Sequence, residues 1–289
     1  MTPPFGRVAI LGTGLVGGSF GLALRRAFPG MRVSGWDRAE VLARARERGA
    51  IEEGSSDLAA VCREAELVYV ALPVEETIRR LPEIAAAVSV RALTTDAAST
   101  KAAVCDAARH VFSPPRRFLG GHPIAGREQG GIERAEEDLF RGAPYVLTSE
   151  PGASELTGIE DERVRGLLDV VEAIGARPVW LDAAEHDHLF AFLSHLPQLA
   201  AIALAETVLE GAGEEAAPLA GPGLSDTLRL AGSPWELWAG ICRTNPELEE
   251  ALDRLIVALE RVRSRLKTDA LEEDFERAGR LYKILRRIE

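Results

Sequence analysis

Residues 8–19 read VAILGTGLVGGS, and residues 32–37 read RVSGWD. The first stretch is a short apolar run that flows into Gly12-Thr13-Gly14-Leu15-Val16-Gly17; the second ends on Asp37, 20 residues after Gly17. An isolated G-x-G-x-x-G says little, but one set between a strand and a helix, with an acid at this distance, has a physical reading. Gly12 makes the tight turn, Gly14 lets the backbone approach a pyrophosphate, and Gly17 permits close contact of helix and strand. The helix opening at Leu15 and Val16 offers unpaired N–H groups to phosphate. The Asp37 carboxylate can accept bonds from adenosine ribose hydroxyls and repels a 2′-phosphate, so NAD is expected in preference to NADP. Arg38 pulls the other way, since a guanidinium there accommodates that phosphate. A purely structural glycine turn is the alternative reading.

Working outward, short β-branched runs at 7–11, 32–36, 67–72, 92–96, 118–121, 145–148 and 178–181 predict strands, and helical patterns at 40–48, 75–88 and 162–174 lie among them. Strands without strict polar alternation, joined by helices, predict an α/β fold: a Rossmann-like, doubly wound, mainly parallel sheet. After Leu181 the strand signals stop. Residues 184–209 are apolar almost all round, as in a helix buried in a domain or subunit interface. Leu248, Leu252, Leu255, Leu259, Val262 and Leu266, then Leu271, Phe275, Ala278, Tyr282 and Leu285, repeat at alternating spacings of four and three, which predicts tight helix packing. The expected division is a dinucleotide-binding domain at 1–182 and an all-helical substrate and dimerisation domain at 183–289.

Composition narrows the classes. The 289 residues carry 34 Lys+Arg against 45 Asp+Glu, a net charge of −11, which argues against a broad surface for nucleic acid or anionic membrane. An anionic substrate therefore needs local basic groups. Three scattered cysteines without a CxxC pair form neither a disulfide framework nor a zinc cluster and suit a reducing cytoplasm; no metal site is expected. Glycines interrupt the apolar run 8–24, so a signal peptide is not expected there, and 189–204 reads as too polar and too short to span a bilayer.

Two strand ends carry chemistry. Residues 96–101 read DAASTK and 120–126 read GGHPIAG, both at carboxyl ends of strands, where an open α/β sheet binds ligands. Ser99 and His122 can form a hydrogen-bonded pair in which the serine fixes the ring tautomer and the other nitrogen acts as base; a structural loop histidine is the alternative. His186 and His188, two apart on a helix, point different ways and make a poor metal pair. Pro197 lacks the N–H for the Leu193 carbonyl and should break the helix around Ser194-His195-Leu196-Pro197-Gln198, with His195 either in a site or a satisfied core residue. Arg229 is a candidate anion clamp, with Trp235 and Trp238 close behind.

GTGLVGGS, the strand ending on Asp37, DAASTK, GGHPIAGRE, HDHLFAFLSHLP and SDTLRLAGSPWELW occur in an order that resembles the prephenate/arogenate dehydrogenase family of tyrosine biosynthesis, over about residues 8–266. The 3-hydroxyisobutyrate type is expected to have a lysine on its interdomain helix, and none stands there. The resemblance implies NAD-dependent oxidative decarboxylation of prephenate to 4-hydroxyphenylpyruvate: hydride leaves C4, a base takes the hydroxyl proton, and CO2 leaves C1. By it, His122 is the base, Ser99 orients His122 and touches cofactor or substrate, and Arg229 clamps a substrate carboxylate. Glu128, His195 and Trp238 would line the pocket, Glu128 within a gate. Gln198 stands where many prephenate-specific relatives carry histidine, which leaves room for arogenate or dual specificity. A non-catalytic NAD-sensing protein is the alternative from a different class. A cytoplasmic homodimer is expected, because the helical half presents more apolar surface than it can cover. No regulatory domain is expected after the helical seams, so tyrosine, if it inhibits, is expected to compete at the active site.

Overall fold

The computed structural model describes residues 2–114, 117–127, 129–149 and 161–286. Its strands are β1 (Arg7–Leu11), β2 (Arg32–Trp36), β3 (Glu53–Ser55), β4 (Leu67–Val70), β5 (Leu93–Asp96) and β6 (Arg117–Leu119), paired all-parallel in the order β3-β2-β1-β4-β5-β6. Helices α1 (Leu15–Ala27), α2 (Ala39–Glu47), α3 (Leu58–Cys62), α4 (Val74–Ala87) and α5 (Ala102–Val111) link them. Ile10, Leu11, Val68, Tyr69 and Val70 are wholly buried, as strands covered on both faces must be. The doubly wound reading therefore holds, with β3 added; its sequence Glu-Gly-Ser carries no apolar signal, so only its pairing to β2 makes it a strand.

The expected strand 118–121 is two strands. β6 closes the parallel sheet, and β7 (Gly121–Pro123) joins a separate sheet with β8 (Pro144–Ser149) and β9 (Arg177–Asp182), in which β7 and β8 run antiparallel. The chain crosses between them where only glycine fits. A Cβ on Gly120 would lie 2.6 Å from Thr148 Oγ1, and one on Gly121 would lie 2.6 Å from the Asp96 carbonyl. Helix α6 (Glu162–Ala173), capped by Asp161, precedes β9.

Asp182 then caps a continuous 30-residue helix, α7 (Ala183–Ala212), through its bonds to the Ala184 and Glu185 N–H groups. The break expected around Pro197 is not one: the helix runs on through it, and the missing N–H is accommodated by a π turn at Ala191–His195, with Leu196 N–H donating to the Ala191 carbonyl five residues back. By length and composition alone α7 could cross a membrane, so the expectation that this segment is too short is corrected; it nevertheless buries His186, Asp187, His195 and Gln198. Leu193 (68% exposed) and Leu209 (46%) are left uncovered by their own chain. Helices α8 (Pro222–Leu228) and α9 (Trp235–Thr244) follow.

Contacts divide the chain into two compact units, Met1–Pro246 and Glu247–Glu289. The first helices of the expected second domain thus pack with the sheets. The second unit contains α10 (Glu247–Arg265) and α11 (Glu272–Arg286), and Arg265 at the end of α10 pairs with Asp274 in the first turn of α11 at 3.0 Å. The predicted heptad seams are covered only in part: Leu248 is buried and Leu252, Leu255 and Leu271 are half-buried, whereas Leu259, Leu266, Phe275, Tyr282 and Leu285 are all more than half exposed.

Candidate active site

The glycine loop has the geometry of a nucleotide cradle. Gly12 sits at φ +90°, and a Cβ there would meet the Ala71 carbonyl at 2.4 Å; one on Gly17 would lie 1.9 Å from the Gly12 carbonyl. Above Gly14 a Cβ would meet nothing within 4 Å, so the backbone is open to a ligand. Helix α1 starts at Leu15 and Val16 with no side-chain cap and no acid in its first turn, which leaves its positive end for an anion. Asp37 Oδ2 accepts from Thr13 N–H at 2.8 Å and Oδ1 from Arg38 N–H at 2.8 Å, so the carboxylate is held at the lip of this loop; Arg38 itself is exposed. These residues fit a dinucleotide.

The 96–101 turn is fastened to the histidine strand by a buried ion pair. Asp96 accepts from Lys101 Nζ, from Ala98 N–H at 2.9 Å and from Gly121 N–H at 3.0 Å, while Lys101 Nζ also donates to the Gly121 carbonyl at 2.8 Å. Both side chains are fully buried, where removing one partner would strand the other's charge. His122 follows, paired in register with Val146. Its Nδ1 lies 2.8 Å from His186 Nε2, and His186 Nδ1 lies 2.8 Å from Asp187 Oδ1. The expected hydrogen bond from Ser99 to this ring is therefore replaced by one from α7. Ser99 stands half-buried in the 96–101 turn, three residues from Asp96.

A second histidine lies one π turn further on. Asn245 Nδ2 donates to the Asp187 carbonyl at 2.8 Å, which fixes the amide's orientation, and the same nitrogen lies 3.0 Å from His195 Nδ1. An NH2 group only donates, so His195 Nδ1 accepts and its proton sits on Nε2. Burial, helped by His186, pulls His195 down to about 4, against the raising effects of Asp187 and of a hydrogen bond with the Ser99 backbone. His122 is likewise pushed well below the usual histidine range, first by burial and then by His186, Lys101 and His195. His186 is lowered by burial and partly restored by its bond to Asp187. All three rings are accordingly neutral at pH 7. All three rings are buried, His186 and His195 completely and His122 with 8% of its residue surface left exposed.

Among the described residues, Gln198 Oε1 and Trp238 Nε1 are buried without a protein hydrogen-bond partner, a costly state that a polar ligand relieves, while the buried His195 ring lies within hydrogen-bonding influence of the Ser99 backbone. The His195 and Trp238 rings meet edge-on at 6.0 Å, and Gln198 is anchored by its Nε2 to the Leu230 carbonyl at 2.9 Å. Arg229, next to Leu230, is exposed at the start of a 3-10 turn, Arg229–Gly232. Glu128 lies outside the described residues.

Residues 20–180 match the family "Prephenate dehydrogenase, nucleotide-binding domain", and 182–286 match "Prephenate dehydrogenase, dimerization domain". The chain belongs to the prephenate dehydrogenase family. It is 32% identical to the prephenate dehydrogenase of Lactococcus lactis over 84% of this chain and 66% of that protein, and 32% identical to that of Bacillus subtilis over 96% and 73%. The chain thus spans just under two thirds of the first and somewhat more of the second. Among solved structures it resembles the Aquifex aeolicus prephenate dehydrogenase in complex with hydroxyphenyl propionate and NAD+ (TM-score 0.86, 26% identity, 100% of this chain and 99% of that one). It also resembles the Synechocystis arogenate dehydrogenase (TM-score 0.73, 28% identity, 97% and 96%). For a prephenate dehydrogenase family member, the residues that sequence reasoning missed are Asp187, Lys101 and Asn245, together with His186, weighed only as a metal ligand. Their signal was faint: an acid beside a histidine early in an apolar helix, and a lysine closing the 96–101 turn.

Proposed function

We propose that the chain is an NAD-dependent prephenate dehydrogenase, converting prephenate to 4-hydroxyphenylpyruvate and CO2. The observation that carries this reading is His122: a neutral, buried ring in the middle of the short strand β7, just past the edge of the parallel sheet, with Nδ1 engaged by His186. Bound NAD+ would supply the hydride acceptor for C4–H. The N–H groups at the start of α1 hold its pyrophosphate, and Asp37 favours an unphosphorylated ribose over NADP, with Arg38 at the rim. His122 Nε2 accepts the ring hydroxyl proton, and Ser99, in the turn after β5, would touch cofactor or substrate. Arg229 grips a substrate carboxylate, which an acidic protein must supply locally. His195 Nε2–H and Trp238 Nε1–H are donors toward an anionic substrate, and Glu128 belongs to the pocket's entrance. The assay is NADH absorbance with prephenate and arogenate, each with NAD+ and NADP+. Turnover with prephenate and NAD+ is expected; cofactor binding without turnover of either substrate would mean a nucleotide sensor instead.

Gln198 favours a second reading. Its buried Oε1 is an acceptor without a partner, and arogenate brings an ammonium donor where prephenate has a keto oxygen. Activity on both substrates follows from that chemistry, and the same four-way assay decides it. The exposed leucines of α7, α10 and α11 support a homodimer, and the match of residues 182–286 to a dimerization domain points the same way; a cytoplasmic location rests on the scattered, unpaired cysteines. Sedimentation showing a monomer at micromolar concentration would count against it. Tyrosine, which keeps the product's ring, is expected to inhibit by competition with the substrate.

A further inference from the structure

Asp187 stands against the N-terminus of α5. Its Oδ1 accepts from Lys101 N–H at 2.7 Å and its Oδ2 from Ala102 N–H at 2.9 Å. Backbone N–H groups only donate, so both oxygens are committed as acceptors. His186 Nδ1, 2.8 Å from Oδ1, must then carry its proton toward Asp187. That leaves a lone pair on His186 Nε2, which lies 2.8 Å from His122 Nδ1, so His122 is the donor in that bond. The single proton of neutral His122 sits on Nδ1, and Nε2 presents its lone pair on the other edge of the ring. Phe190 stacks on His186 with centroids 4.5 Å apart and planes 24° off parallel, which holds the middle ring of the chain in place.

We propose that His186 and Asp187 are positioning residues that lock His122 in the Nδ1–H tautomer, making His122 Nε2 the proton acceptor for the substrate hydroxyl. This deepens the dehydrogenase reading and rests on it. When Nε2 takes the hydroxyl proton, the Nδ1–H bond to His186 spreads the new positive charge toward Asp187. The proton returns to the phenolate oxygen that decarboxylation leaves, so the relay ends as it began. The other titratable groups facing the pair are Lys101, whose ammonium is matched by Asp96, and His195, which is uncharged; neither offers an alternative acceptor for Nδ1–H. Had Asp187 only capped α5, the identity of residue 186 would not matter to turnover.

The test combines a spectrum and two variants of the full chain. With 15N-histidine label, long-range 1H–15N spectra at pH 7.5 should show His122, assigned by its loss in His122→Asn, as the Nδ1–H tautomer. An Nε2–H tautomer overturns the proposal whether or not the protein is a dehydrogenase. His186→Leu removes the acceptor and should lower kcat at least 100-fold with KM for NAD+ within threefold. His186→Gln restores an acceptor oxygen at similar reach and should keep kcat within tenfold of the parent and His122 in the Nδ1–H form. Equal losses in the two variants, or none in His186→Leu, overturn the relay; if His186→Leu fails to fold, the glutamine variant's kcat and spectrum decide. An Nδ1–H His122 in a protein without dehydrogenase activity would instead sink the functional reading and leave the tautomer assignment standing.

Discussion

Acid should weaken this fold through its buried histidines, and His195 lets the size be worked out. Its folded pKa is about 4, with burial as the main cause, against about 6.5 for an unfolded histidine. Because the folded pKa is the lower one, the unfolded chain binds more protons between those values, so stability is intact above the unfolded pKa and is lost as pH falls toward the folded one. At about 1.4 kcal/mol per pKa unit, moving from pH 7 to pH 5 should cost about 2 kcal/mol at this residue, and about 3 kcal/mol once pH is below 4. Other groups titrate in the same window, His122 and His186 with the same sign, so the comparison must be a difference. Urea unfolding of the parent and of His195→Gln, at one protein concentration and at pH 7 and pH 5, isolates it. The parent should lose about 2 kcal/mol more than the variant over this interval. A difference below about 0.5 kcal/mol would mean that His195 is charged or solvated in the folded protein, and the argument for its Nε2–H tautomer would fall with it.

Replacing the proton acceptor, His122→Asn, should lower kcat by about two to four orders of magnitude with little change in KM for NAD+; near-normal turnover refutes the assignment. In the free enzyme, kcat/KM should rise with pH and level off below the ordinary histidine range, because burial holds His122 neutral there. An inflection at or above 6.5 assigned to His122 would contradict the enclosed ring. Gly17→Ala forces a Cβ to within 1.9 Å of the Gly12 carbonyl, so it should abolish measurable NAD+ binding by calorimetry; unchanged affinity would mean the loop is not the cradle.

The glycine loop, Asp37 and the two strand ends were legible because each is a local device. A loop that needs positive φ at Gly12 and no Cβ at Gly17 writes glycine at both places, and buried parallel strands write unbroken apolar runs. β3 was not, since its three residues are held by neighbours alone, and the sheet change at Gly120 was hidden because crowding by Thr148 and Cys105 comes from distant parts of the chain. The heptad seams were legible as apolar stripes, yet their exposure shows that periodicity states which face is apolar and not what covers it.

Local chemistry was enough to specify a doubly wound nucleotide-binding half, a helical remainder and a candidate histidine beside Gly120 and Gly121, because propensity, periodicity and φ requirements act over a few residues; that this histidine lies inside a strand of a second sheet was not. It could not pair His122 with a residue 64 positions away, or set Asp187 on the N–H groups of Lys101 and Ala102. Those contacts exist only once α7 lies against α5 and β7. Ring tautomer, burial and the hydrogen-bond partner of each nitrogen are properties of that packing, and for this protein they select which edge of His122 can take a proton.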